Sequence, residues 1–118
     1  MPKLNTIKRI AWTLSVLSLL CFVQVTLADE KNEEKNQIEI KDFHFTPQTL
    51  TVKSGAKVTW INHDDEVHVV ASADKKFEKS SPLDTDQKFT ITAGAPGTYN
   101  YFCSVHPKMT GKIIVEKP

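Results

Sequence analysis

The chain has 118 residues, 15 basic and 14 acidic side chains, and a net charge of +1. That length bounds it to one small domain with one modest core. The near-balance of charge leaves no concentrated basic footprint and so no electrostatic ground for nucleic-acid binding.

The chain opens on a short basic segment, Lys3, Lys8 and Arg9, followed by the uncharged run 10–25 and then Leu27-Ala28 before Asp29-Glu30-Lys31. A basic start, an apolar stretch and a small residue before a polar run read as a secretory signal peptide. Residues 1–28 are therefore expected to be a leader cut after Ala28, with Thr26 as the small residue three back, and the expected location is the periplasm. An uncleaved anchor is the alternative, since roughly 17–25 apolar residues can span a bilayer. A lipid-modified Cys21 is disfavoured by Leu19-Leu20, where small residues would be needed.

Removing residues 1–28 leaves 90, with 12 Lys and no Arg against 14 acidic residues, a net charge near −2. It also leaves Cys103 as the single cysteine. Small exported domains normally pair their cysteines, so one unpaired thiol in an oxidising compartment points to a metal.

Residues 29–36 are charged and lack apolar spacing, as in a flexible leader, and the folded domain is expected over 37–118. Short alternating runs follow: Ile38 and Ile40, Phe43 and Phe45, Leu50 and Val52, Val58 to Ile61, and the stretch around Val67, Val69 and Ala71. Phe89 and Ile91, Tyr99 and Tyr101, and Ile113 to Val115 complete them. They are rich in β-branched and aromatic residues. Turn chemistry separates them at Thr46-Pro47, Ser54-Gly55, Asn62 with Asp64-Asp65, Ser81-Pro82 and Gly94 to Gly97. The pattern predicts an all-β antiparallel sandwich of seven or eight strands with one core, Trp60 within it. At most a short helical turn interrupts it between Ala73 and Lys79. With both Phe43 and Phe45 inward, His44 faces out.

The stretch from Gly97 to Glu116 reads as strand, tight loop, strand, and its loop delivers Cys103, His106 and Met109 at a spacing of three. A lone cysteine or methionine is as readily core filler, but thiolate, imidazole and thioether within seven residues suit copper. A second imidazole must come from elsewhere. His68, just past the turn that follows Trp60, can face a loop at the same end of the sandwich. His63 lies inside that turn beside two aspartates, and His44 has no partner at motif spacing. Asp64, Asp65 and Glu66 read as a solvated turn, and the Lys75, Lys76, Glu78 and Lys79 cluster as a solvated face.

The loop segment resembles the copper loop of amicyanins, within the plastocyanin/azurin family of cupredoxins, in its short Cys-x-x-His-x-x-Met spacing. Val58 to Asn62 followed by His68, and Phe43-x-Phe45-x-Pro47 to Val52, resemble the same family, so that the likeness covers most of 37–117. It implies a Greek-key sandwich of about eight strands with one mononuclear copper at one end, bound by His68, Cys103, His106 and Met109. Three positions depart from the family pattern. Val67 stands where proline is usual, and Val69 stands where an asparagine often ties the two ligand loops, so Ser104 loses an expected partner. The Val69 N–H remains able to reach the Cys103 sulfur. Val105 replaces a proline and restores an N–H as a donor to the thiolate, on which ground Val105→Pro is expected to lower the reduction potential.

The resemblance implies a blue copper protein carrying single electrons in the cell envelope. Its partners would be transient redox proteins, such as a dehydrogenase and a cytochrome c or oxidase, and the protein itself a monomer. A copper carrier or buffer would use the same ligands and is the alternative. A catalytic copper enzyme needs further centres, and only His44 and His63 remain for them.

Overall fold

The structure is a computed structural model that describes residues 35–118. The expectations of a cleaved leader over 1–28 and a flexible segment over 29–36 fall outside it, apart from the last two residues. Eight strands form: β1 Gln37–Lys41, β2 His44–Thr46, β3 Thr49–Lys53, β4 Lys57–Asn62, β5 Val70–Ser72, β6 Lys88–Thr92, β7 Gly97–Cys103 and β8 Thr110–Glu116. Each coincides with one of the alternating runs. The stretch 73–79 makes turns and bends rather than a helix. No helix among the described residues is long and apolar enough to cross a membrane.

The strands build two four-stranded sheets, ordered β2-β1-β4-β6 and β3-β8-β7-β5. Most neighbours are antiparallel, but β1 runs parallel to β4 and β3 parallel to β8. Both parallel pairs join strands distant in sequence, so no hairpin fixes their direction. Alternation supplies the core. Ile38 and Ile40 of β1, Val58 and Trp60 of β4, and Ile113 of β8 are fully buried between the sheets. Trp60 stands at the centre, edge-on to Tyr101 with ring centroids 5.2 Å apart, and Tyr101 is in turn edge-on to Phe45 at 4.8 Å. Aromatic pairs in this arrangement add to their simple burial.

The same topology places both halves of the candidate site at one pole. Strand β5 opposes β7 with Val70 paired to Cys103. His68, two residues before Val70, therefore lies just beyond the end of β7, beside the loop that leaves Cys103. Backbone bonds carry the pairing onward, with Ser104 N–H donating to the Val69 carbonyl at 3.1 Å. His68 itself bridges to Leu83 through bonds in both directions, at 3.2 and 2.8 Å.

One expected alternation fails. Phe45 is buried, but Phe43 is 44% exposed. The β1–β2 hairpin pairs Lys41 with His44, leaving Asp42 and Phe43 as a two-residue turn with φ of +52° and +62°. Positive φ at both central positions matches the twist of a hairpin, and it turns Phe43 out of the strand alternation. His44 faces out as expected.

Candidate metal centre

The loop from Cys103 to Met109 is closed by its own backbone. His106 N–H donates to the Cys103 carbonyl at 3.2 Å, Met109 N–H to the His106 carbonyl at 2.9 Å, and Cys103 N–H to the Met109 carbonyl at 3.0 Å. These bonds fold seven residues into two successive turns and bury Met109 at the point where β8 begins. Cys103 is fully buried with a free thiol, and His106 is half-buried.

On the other side Asn62, fully buried at the end of β4, organises the turn that leads to His68. Its Nδ2 donates to the carbonyls of Glu66 and Leu83, each at 2.9 Å, and its Oδ1 accepts the Asp64 N–H at 2.8 Å. Asp64 is thereby turned inward, its side chain only 10% exposed. This corrects the reading of Asp64 as part of a solvated turn; its neighbours Asp65 and Glu66 are exposed. Asp64 Oδ2 lies 2.8 Å from His68 Nε2. The two oxygens also accept the backbone N–H groups of Asp42, at 2.7 Å, and Phe43, at 3.0 Å. Burial pushes the Asp64 carboxyl up, but those backbone bonds, the bond from His68 and its charge outweigh burial and hold it below the ordinary value of 3.8.

Three of the predicted site residues converge. His68 Nδ1 lies 3.6 Å and His106 Nδ1 3.8 Å from Cys103 Sγ. All three ligand atoms fall within 4.8 Å of one another. Metal–sulfur and metal–nitrogen bonds of about 2.3 and about 2.0 Å meeting at trigonal angles would separate their donors by about 3.7 Å. With Nε2–H of His68 given to Asp64, its Nδ1 lone pair is the one that faces the sulfur, an arrangement by which a carboxylate fixes a metal-ligating tautomer. The donor set and spacing fit a single small metal ion, and two imidazoles with one thiolate fit copper in particular. The structure leaves His63 and His44 apart from this group. His63 lies at the surface 3.7 Å from Glu39 and 3.9 Å from Asp86, and His44 Nδ1 contacts the Asp42 carbonyl at 2.7 Å.

The Val69 N–H reaches the sulfur at 3.4 Å, as its position suggested. The Val105 N–H makes no such bond, and its side chain is 48% exposed at the tip of the loop. The expectation that Val105 adds a donor to the thiolate is therefore corrected. The first turn of the loop directs the His106 N–H inward to the Cys103 carbonyl and leaves Val105 at the surface. In place of an asparagine tie, the Val69 N–H donates to the Cys103 sulfur and the Val69 carbonyl accepts from the Ser104 N–H.

Sequence reasoning missed Asn62, Asp64 and Phe43. Asn62 and Asp64 carried one available signal, an Asn-x-Asp stretch that makes an Asx turn. Phe43 carried none, because its strand-like spacing argued for the interior.

A β-sandwich with two imidazoles and a buried thiol gathered at one pole defines a cupredoxin. The family model of the cupredoxin-like domain matches residues 13–115, and the chain belongs to that family. Within it the likeness runs to amicyanins. The chain is 32% identical over 84 residues to amicyanin-alpha of Methylorubrum extorquens, covering 68% of this chain and 71% of that protein. It is 35% identical over 83 residues to amicyanin of Paracoccus denitrificans, covering 67% of this chain and 63% of that one. A solved structure of an oxidised amicyanin variant superposes with a TM-score of 0.67 at 30% identity, over 71% of this chain and 84% of the other. A purple cupredoxin from Nitrosopumilus maritimus superposes with a TM-score of 0.64, also at 30% identity, over 68% of this chain and 98% of the other.

Proposed function

We propose that this protein is a blue copper protein that carries single electrons, holding one copper ion through His68, Cys103, His106 and Met109. The observation that carries the reading is the approach of two imidazole Nδ1 atoms to one buried thiol at 3.6 and 3.8 Å. Bound copper would supply a one-electron couple between Cu(I) and Cu(II). The residues around it serve to keep the donors still. Asp64 holds the His68 ring, Val69 donates to the sulfur, and the three turn bonds of the loop fix His106 and Met109 relative to Cys103. Donors held in place rearrange little between oxidation states, which lowers the barrier to electron transfer.

His106 is the one donor of the three that is not fully buried. It lies among Phe43, Val105 and Pro107 on an open groove of about 850 Å³. That supports electron entry through the His106 edge during brief contacts with a redox partner, an encounter that favours small interfaces. Lys108 beside the groove would favour an acidic partner surface, chiefly through association rate. A dehydrogenase as donor and a cytochrome c or oxidase as acceptor are the partner classes proposed, with no catalytic step in this chain. An exported, periplasmic location follows from the reading of residues 1–28 as a leader, leaving 37–118 as the copper domain.

The test is addition of Cu(II) to the purified protein. An intense visible thiolate-to-copper band that disappears in Cys103→Ala, with fast electron self-exchange, is expected. A colourless adduct overturns the reading. Preferential Cu(I) binding with release to an acceptor and slow self-exchange would instead indicate a copper carrier.

A further inference from the structure

Phe43 occupies a position that neither its own backbone nor the core explains. It is a large aromatic residue 44% exposed, in the left-handed region at φ +62°, where glycine or asparagine would be easier. Its ring meets two others. It stands edge-on to His68, with centroids 5.4 Å apart and planes at 82°, and edge-on to His106, at 5.0 Å and 83°. The two imidazoles are themselves 5.1 Å apart. Three rings thus form a triangle, two of them carrying the Nδ1 atoms that face the Cys103 thiol, and the third comes from the turn between β1 and β2, in the sheet opposite the one that carries Cys103.

The Asp64 carboxylate touches two members of this arrangement. It accepts the backbone N–H groups of Asp42 and Phe43, the two residues with positive φ, and the same group meets His68 Nε2. One inward-turned carboxylate therefore holds both the hairpin tip that presents Phe43 and the ring of His68 that Phe43 meets edge-on.

We propose that Phe43 is the cap of the metal site, closing the approach to Cys103 against solvent and small molecules, and that Asp64 is the positioning residue that keeps it closed. The proposal rests on the metal-site reading above, but the closure it describes belongs to the metal-free protein as well. In the metal-free full chain carrying Cys21→Ser, so that Cys103 is the single thiol, the rate at which 5,5′-dithiobis(2-nitrobenzoate) modifies Cys103 measures access directly. In the copper-loaded protein, the rate of Cu(I) extraction by bicinchoninate measures the same access.

Phe43→Asn removes the ring and leaves a residue that accepts positive φ, so the hairpin is kept. Both rates are expected to rise on the order of tenfold, about the ratio that two edge-on aromatic contacts support, while the relief of a non-glycine residue's positive-φ cost at position 43 offsets those lost contacts in thermal stability. Asp64→Ala should raise the thiol rate by a comparable factor, and the double variant should be no faster than the faster single one. Wild-type rates in Phe43→Asn overturn the cap. Effects that multiply in the double variant show that Asp64 does not act through Phe43 and overturn the coupling. A wild-type protein that takes up no copper while its thiol rates follow this pattern defeats the metal-site reading and leaves the cap standing.

Discussion

Replacing Asn62 by alanine tests whether the turn that seats His68 is held by one side chain. Asn62 is fully buried and makes three bonds, to the Glu66 and Leu83 carbonyls and from the Asp64 N–H, at 2.9, 2.9 and 2.8 Å. Each is worth about 1 kcal/mol net, which places the loss at about 3 kcal/mol. Water can reach the Glu66 end, and the Leu83 carbonyl keeps its bond from the His68 N–H, so the penalty for unsatisfied groups adds little. For a domain of this size about 1 kcal/mol moves Tm by about 4–8 °C, and the metal-free Asn62→Ala protein should melt about 12–24 °C lower by circular dichroism. Asn62→Asp is the sharper variant. It keeps the acceptor for Asp64 but turns a carboxylate oxygen towards two carbonyls, so it should be less stable than Asn62→Ala at neutral pH and recover as acid protonates it. A loss below about 1 kcal/mol in Asn62→Ala, or an Asn62→Asp protein as stable as wild type at pH 7, refutes the reasoning.

Gly111 pairs with Tyr101 across β8 and β7, and a Cβ there would meet the Tyr101 ring and hydroxyl. Gly111→Ala should therefore cost about 1–3 kcal/mol in urea unfolding; an unchanged midpoint would show that the ring yields freely. Because the Asp64 carboxyl is held below its unfolded value of 3.8, its contribution to stability is complete above that value and is lost as pH falls through the lower folded value. Urea midpoints of wild type and Asp64→Asn should thus converge as pH falls below about 4, and a constant gap would contradict the linkage. Since the Val105 N–H does not reach the sulfur, Val105→Pro should leave the reduction potential of the copper-loaded protein nearly unchanged. A clear fall in voltammetry would restore that N–H as a donor.

The strands were legible because their signal is local. In β1 and β8 buried and exposed positions alternate as the residue types do. The Cys103 to Met109 loop was legible for the same reason, its donors lying within seven residues of one another. What could not be read depends on partners far apart in sequence. The parallel pairing of β3 with β8 joins residues about sixty positions apart, and no residue pattern marks its direction. The inward turn of Asp64 requires Asn62 to be buried first and the 42–43 amides to lie opposite. Phe43 failed for a related reason, since a hairpin's central residues are recognised by glycine or asparagine and Asp-Phe carries neither.

The metal centre is built unequally on its two sides, and the inequality bears on its proposed work. His68 is fully buried, bridged to Leu83 by two backbone bonds and fixed at its outer nitrogen by Asp64. The Val69 N–H and carbonyl tie that segment to Cys103 and Ser104. His106 has the short turns of its own loop and ring contacts with Phe43 and His68. Holding every donor that firmly would need burial on all sides, and a buried site could not hand an electron to another protein through a short path. Rigidity is concentrated instead in His68 and Cys103, which can be enclosed. Exposure is confined to the single imidazole whose outer edge a partner must approach.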